Sequence, residues 1–334
     1  MNEGKPGKSA DDNERTLRAA LVWGAGVGPA GFRKLVTYCG STAAVLEADA
    51  AQLTAADSRL SPEQTAIIRE LASRLGEFAE RISDLQANGV QVISSQDEGY
   101  PEGLRTLRNP PPLVCARGEI LLQDRAAAAM VGTRSPTRED FDKAFGLAEA
   151  FAGAGITVVS GLALGLDTAA HRGALQAGGR TIAVLGSGIE RVYPPENEAL
   201  AEEIAACGAV ISELAPEAGA AVGTLMARNR LIAALSKATV VVASGSRGGS
   251  LVTADHSRNQ GKPVAAVKWA NVNLKRLGNQ QLLAEGAIAL GDDQDLAKLI
   301  ELLRHPALPL SPLAKHQAPP AQRDDDRQQF RMFD

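Results

Sequence analysis

Aromatic residues are scarce in this 334-residue chain, at 4% of the total. Its core must therefore be assembled mainly from Ala, Val, Leu and Ile. Cysteine is scarcer still: Cys39, Cys115 and Cys207 are odd in number and far apart. That pattern offers neither a disulfide framework nor metal-ligand spacing, and it suits a reducing compartment. The four histidines are equally scattered, so no metal site and no cofactor is read from the sequence. No apolar run reaches the roughly 20 residues of a membrane span, and the first residues are polar. The expectation is a cytoplasmic protein without signal peptide or membrane anchor. Positive charge is not in excess either: 35 Lys and Arg stand against 39 Asp and Glu, a net charge of −4. A nucleic-acid site on such a chain must be a local basic patch on a mildly acidic body.

Catalytic sets are also missing. No Ser or Cys sits in a recognisable activated setting, and no paired carboxylates fall in the glycine loops. Gly186-Ser187-Gly188 continues as IERVYPPEN, not as the Gly-x-Gly-x-x-Gly with an acidic ribose reader that a nicotinamide site needs. Asp167 and His171 are four apart at a helix start. A base oriented by a carboxylate is one reading of that pair. A cap plus a locally bonded, packed histidine is the more economical one. A non-enzymatic protein is expected.

What the chain does have is glycine at strand ends. The stretch 227–261, ARNRLIAALSKATVVVASGSRGGSLVTADHSRNQG, reads as helix, buried strand Val240–Val242, glycine-rich turn and helix. Such a turn brings backbone N–H groups to a helix N-terminus, where they suit a phosphate; alternatively the glycines only make a tight turn. The same unit repeats from Ala126 onward. Strands at 127–131, 156–159, 181–185, 209–211, 240–242, 264–267 and 288–290 alternate with helices of ordinary length. This implies an α/β fold with a parallel sheet covered on both faces. Ligands bind beyond the carboxyl ends of such strands, so the glycine turns should converge on one crevice. Arg134 lies just past a strand end, and Arg228 and Arg230 flank Asn229 at a helix start. Both of the latter arginines cannot face the core, so at least one should point into the crevice or to an acidic partner. Ser160-Gly161 and Gly249-Ser250 add hydroxyl and backbone donors. Several donors on one side of the sheet favour a polyanion.

Ahead of this region, residues 1–13 read as disordered and 14–88 as a small helical domain. Gly24-Ala25-Gly26-Val27-Gly28-Pro29 breaks its first helix, in the manner of a helix–hairpin–helix turn that can hold a DNA phosphate or serve only in packing. Ser41 and Ser61-Pro62-Glu63 mark helix starts. Gly89–Ser94 reads as a strand, and the prolines of 109–114 imply extended chain. The α/β domain is placed at 89–304, and the proline-rich 305–334 reads as a flexible tail.

Taken together, VGTR (131–134), VVSGLALGLDTAAHRGAL (158–175), TIAVLGSGIERVYPPEN (181–197), ISE (211–213), RNRLIAALS (228–236), GGSLVTA (248–254), GKPVAAV (261–267) and GNQQLLAEGA (278–287) resemble the DprA (Smf) family of DNA-processing proteins. The resemblance runs from about 95 to 290. It implies an extended Rossmann-like, mostly parallel sheet with helices on both faces, preceded by a small all-α domain of helix–hairpin–helix or SAM-like type. It further implies a homodimer that binds single-stranded DNA and loads the RecA recombinase during natural transformation. Carried over by position, Gly132 and Arg134, the loop Ser160, Gly161 and Gly165, the triplet Arg228-Asn229-Arg230, and Gly249-Ser250 would contact phosphates, while Asp167 matches the last residue of the family's Ser-Gly-x-Ala-x-Gly-x-Asp loop. A groove tracking phosphates without reading base edges suits sequence-tolerant single-strand binding.

The chain departs from the family at several places. Leu225-Met226 stand where the family has Phe-Pro shortly before Arg-Asn-Arg, which removes a stacking ring. Val242-Ala243-Ser244 replaces Val-Val-Glu-Ala, Asn109 replaces an Asp, and Lys268-Trp269 replaces Pro-Gly. Trp269 is a candidate replacement stacking surface, or simply packs. Residues 305–334 are too few for the winged-helix module of some members. The last residues, Gln329-Phe330-Arg331-Met332-Phe333, resemble the bacterial sliding-clamp-binding peptide, with Gln329, Phe330, Met332 and Phe333 as candidate anchors. A nucleotide-binding sensor or nucleotide-processing enzyme on the same fold is the alternative reading. An adaptor whose tail does most of the recruiting is a third.

Overall fold

A computed structural model describes residues 10–305. The residues before and after, including Gln329, Phe330, Met332 and Phe333, lie outside the described residues. The chain opens with helices α1 (Ala10–Ala19), α2 (Pro29–Cys39), α3 (Thr42–Glu47), α4 (Ala50–Ala56), α5 (Pro62–Glu70) and α6 (Leu75–Ala87). Residues 10–13, assigned on polarity to a disordered lead, instead form the first turn of α1. Asp11 and Asp12 complement the helix dipole there, and Asp12 pairs with Arg15 at 2.8 Å. The turn Gly24–Pro29 separates α1 from α2 as expected, with Gly26 at a φ of +63° and Gly28 capping α2. Ser41 caps α3 by accepting from the Ala44 N–H. Ser61 and Gln64 form a reciprocal capping box on α5, and Asp49 and Gln52 do the same on α4.

Next come β1 (Val90–Ser94), α7 (Glu102–Arg105), β2 (Leu113–Gly118), β3 (Ala127–Val131), α8 (Arg138–Gly153), β4 (Thr157–Ser160), α9 (Leu166–Gln176), β5 (Thr181–Val184), α10 (Glu198–Cys207) and β6 (Ala209–Ser212). They are followed by α11 (Val222–Ala234), β7 (Ala238–Val241), α12 (Gly249–Asn259), β8 (Val264–Val267), α13 (Leu277–Ala284), β9 (Ile288–Leu290) and α14 (Asp293–Arg304). The nine strands form one sheet in the order β1-β2-β6-β5-β4-β3-β7-β8-β9. β1–β2 and β2–β6 pair antiparallel and every other pair is parallel. No helix of the described residues is long and apolar enough to cross a membrane.

Alternation along the strands sorts the core into two layers. Ala127, Ala129 and Val131 of β3 face a cluster with Leu231 and Ile232 of α11 and Ala254 of α12. Ala128 and Met130 face the opposite cluster with Leu147 and Phe151 of α8 and Leu299 of α14. The N-terminal helices share their core with the sheet. Leu17, Leu21 and Leu85 belong to one cluster with Val92, Cys115, Leu200 and Val210. Arg18 strengthens the junction, its Nη1 donating to Ser95 Oγ at 2.6 Å and to the Pro112 carbonyl.

Candidate functional site

The strand order reverses at β3. The chain steps outward through β4, β5 and β6 on one side, then returns to β7, β8 and β9 on the other. The loops after β3 and β7 therefore leave the same end of adjacent strands, where doubly wound folds hold their ligands. They are tied together: the Thr133 N–H donates to the Ala243 carbonyl at 2.9 Å. A Cβ on Gly132 would strike that carbonyl and the Leu166 side chain, so the approach requires glycine. Gly165, at a φ of +86°, lets the next loop pass against the Arg134 backbone.

The loop after β4 is held from within. Ser160 is buried, and its Oγ donates to the Met130 carbonyl at 2.6 Å. One Asp167 oxygen accepts from the N–H groups of Gly161 (3.1 Å) and Ala163 (3.3 Å). Burial pushes this carboxyl up, while Arg228 and these donors pull it back. His171 is fully buried, with Nδ1 2.7 Å from Thr181 Oγ1. The Thr181 hydroxyl donates to the Val158 carbonyl, so its oxygen accepts and the ring proton is assigned to Nδ1. Burial takes the imidazole down to about 3, keeping it neutral. Asp167 and His171 thus serve local structure, but Asp167 ties down the preceding loop and does not cap α9, which follows Gly165 without a side-chain cap.

The arginine triplet requires a correction. Arg228 is 4% exposed, and its Nη1 donates to the carbonyls of Gly161 and Val184. It clasps the ends of β4 and β5 and does not offer its fork to a phosphate. A Cβ on Gly161 would lie 2.6 Å from the guanidinium nitrogens, which is why that residue has no side chain. Burial brings Arg228 down to about 10. Arg230 turns the other way and pairs with Glu213, just beyond β6. Asn229 Nδ2 donates to the Gly249 carbonyl at 3.1 Å, fixing the start of α12. The expectation that one arginine would meet an acidic partner holds for Arg230, and Arg228 took the core. Moreover, the triplet lies inside α11 and does not open it. With no proline at 225–226, the helix runs back to Val222, and the Ala221 N–H donates to Thr224 Oγ1.

At the ends of these strands Arg134 is exposed after β3, and Ser246, Arg247 and Gly248 are exposed before α12. Ser250 lends its hydroxyl to Ser244 Oγ at 2.8 Å, so Gly249 and Ser250 shape the helix start. Two cations escaped the sequence reading. Arg247 is exposed within the glycine-rich run, where its position was a usable signal. Lys275 donates from Nζ to the Ser135 carbonyl at 2.6 Å. It is 140 residues away in sequence, so nothing local could reveal it.

Leu225 packs on Gly186, and Met226 is exposed beside Gly249. Trp269 lies away from that position. It packs with the α8 and α14 cluster, across the sheet from α11. Its Nε1 donates to the Val242 carbonyl at 2.8 Å, and the Arg276 guanidinium lies 3.7 Å from the ring centroid.

Fold and site together define a doubly wound, Rossmann-like α/β protein whose glycine-bearing loops meet at the switch point, with Arg134 and Arg247 exposed there. Residues 91–301 match the family model described as DNA recombination-mediator protein A. The chain belongs to that family. It is 33% identical to the Bacillus subtilis DNA processing protein DprA over 209 residues, 62% of this chain and 70% of that one. It is 34% identical to Protein Smf of Synechocystis over 223 residues, 65% of this chain but only 56% of that protein's length. Among solved structures, DprA from Streptococcus pneumoniae superposes with a TM-score of 0.65 at 27% identity, covering 87% of this chain and 98% of that one. A Helicobacter pylori DprA structure, described for its single-stranded DNA binding mode, gives a TM-score of 0.57 at 28% identity, covering 64% of this chain and 95% of that one.

Proposed function

We propose that this protein binds single-stranded DNA along the switch-point crevice and acts in recombination without covalent chemistry. The observation that carries this reading is the joined pair of loops after β3 and β7. Gly248, with open space where a side chain would be, leaves the backbone there accessible to a phosphate, and exposed Arg134 and Arg247 supply charge beside it. The single-stranded DNA described for the Helicobacter relative supports it. Delivery to RecA, pairing of two copies and clamp docking through Gln329, Phe330, Met332 and Phe333 are finer parts of the proposal. The first two rest on the family resemblance and the last on the tail sequence. Withdrawal of Arg228 and Arg230 from the crevice favours a second reading, a mononucleotide site.

Anisotropy of a fluorescent oligonucleotide at two salt concentrations tests the proposal. A strand-tracking groove loses affinity steeply with salt, and Arg134→Ala lowers the log–log slope by about 0.7. Binding with almost no salt dependence points to the mononucleotide reading. Folded protein that binds no oligonucleotide overturns the proposal.

A further inference from the structure

A second opening adjoins the crevice. It is an open cavity of about 710 Å³ between the first turns of α8 and the ends of β8 and β9, walled by Trp269 and flanked by Arg138, Lys143 and Lys268. Its two carboxylates are already committed. Glu139 pairs with Arg276, and Asp142 accepts from Arg138 Nε at 2.8 Å. Lys143 and Lys268 make no ion pair among the described residues. The indole is held rigidly by its bond to Val242 and by the guanidinium of Arg276, which is itself 2% exposed and bonded to Asp140. A fixed, partly buried indole beside uncommitted ammonium groups combines the two chemistries that a base with flanking phosphates calls for. This indole platform lies a short way along the chain from the switch-point loops. Arg138 is four residues from Arg134, so their Cα atoms are at most about 14 Å apart. Lys275 ties the intervening Ser135 to the loop that carries Trp269.

We infer that a bound single strand continues from Arg134 over the start of α8 and stacks one base on Trp269, with Lys143 and Lys268 holding the flanking phosphates. This subsite rests on the single-strand reading of the crevice and extends it across the sheet edge to the opposite layer. A nucleobase is the occupant because the cavity couples one planar apolar wall to spare cations, and the neighbouring site already calls for a phosphate chain.

Trp23 is the other tryptophan, so Trp23→Phe leaves Trp269 as the sole indole reporter. Thymidine oligomers of 4 and 20 nucleotides are titrated while anisotropy of labelled copies is followed. The expected result is quenching of Trp269 by the 20-mer and little by the 4-mer. Lys143→Ala with Lys268→Ala should weaken the 20-mer roughly five-fold or more and leave the 4-mer unchanged. Both lysines lie outside the core, so this variant tests the path even if changes at Trp269 perturb folding. Normal 20-mer binding with unaltered Trp269 emission and no lysine effect overturns the subsite and leaves the crevice reading standing. Absence of all strand binding overturns both. Quenching by free thymidine monophosphate alone, without strand binding, overturns the strand path.

Discussion

Arg228 illustrates how a charge can be functional in position and structural in role. Its Nη1 fills two carbonyl acceptors at the ends of β4 and β5, and Asp167 lies close enough to raise its pKa against the burial that lowers it. An uncharged replacement of similar length, Arg228→Met, leaves those carbonyls without their donor and removes the cation near the Asp167 carboxylate, which keeps its backbone donors. It should cost about 2–4 kcal/mol in urea unfolding, within the range for orphaned buried groups. An arginine that held phosphate from the surface would behave oppositely, with stability unchanged and the salt slope of DNA binding reduced. Gly161 is the complementary case. It is small because the guanidinium occupies the place of its side chain, not because its backbone is unusual.

Helix starts in this protein are written locally and were correspondingly legible. Ser41 and Ser61 cap the helices that follow them, as their sequence context indicates. Ser61 and Gln64 each satisfy the other's backbone N–H, so Ser61→Ala should lower stability by about 1 kcal/mol. A change below a few tenths of that would show that α5 is held by packing alone. The start of α11 shows the limit of such reading. Arg-Asn-Arg invited a helix beginning at 228, yet the absence of proline lets the backbone ladder continue to Val222. The same extension puts Leu225 against Gly186 and leaves Met226 exposed beside the crevice.

Across the whole molecule, the helical N-terminal region and the sheet are joined by one apolar cluster and by the Arg18 and Arg15 bonds to the segment after β1. They should unfold together. The two tryptophans report on the two regions separately: Trp23 lies in the helical part, and Trp269 sits at the end of β8. Single-tryptophan variants should give coincident urea midpoints, the signature of one cooperative transition. Midpoints separated by more than the scatter of replicate curves would mean that the regions unfold independently despite the shared cluster.

Pattern alone led to the alternating α/β architecture and the glycine turns at strand ends, because short apolar runs and turn chemistry act over a few residues. It also limited the two flanking arginines of the triplet to the core, the crevice or an acidic partner, since residues two apart on a helix point to different sides. The assignment among those fates needed the tertiary structure. Glu213 and the carbonyls of Gly161 and Val184 come from other strands, so only chain crossing could bring them to Arg230 and Arg228. Trp269 is decided in the same way. Its layer, its cation and its open wall depend on where β8 falls in the sheet order, which no local pattern records.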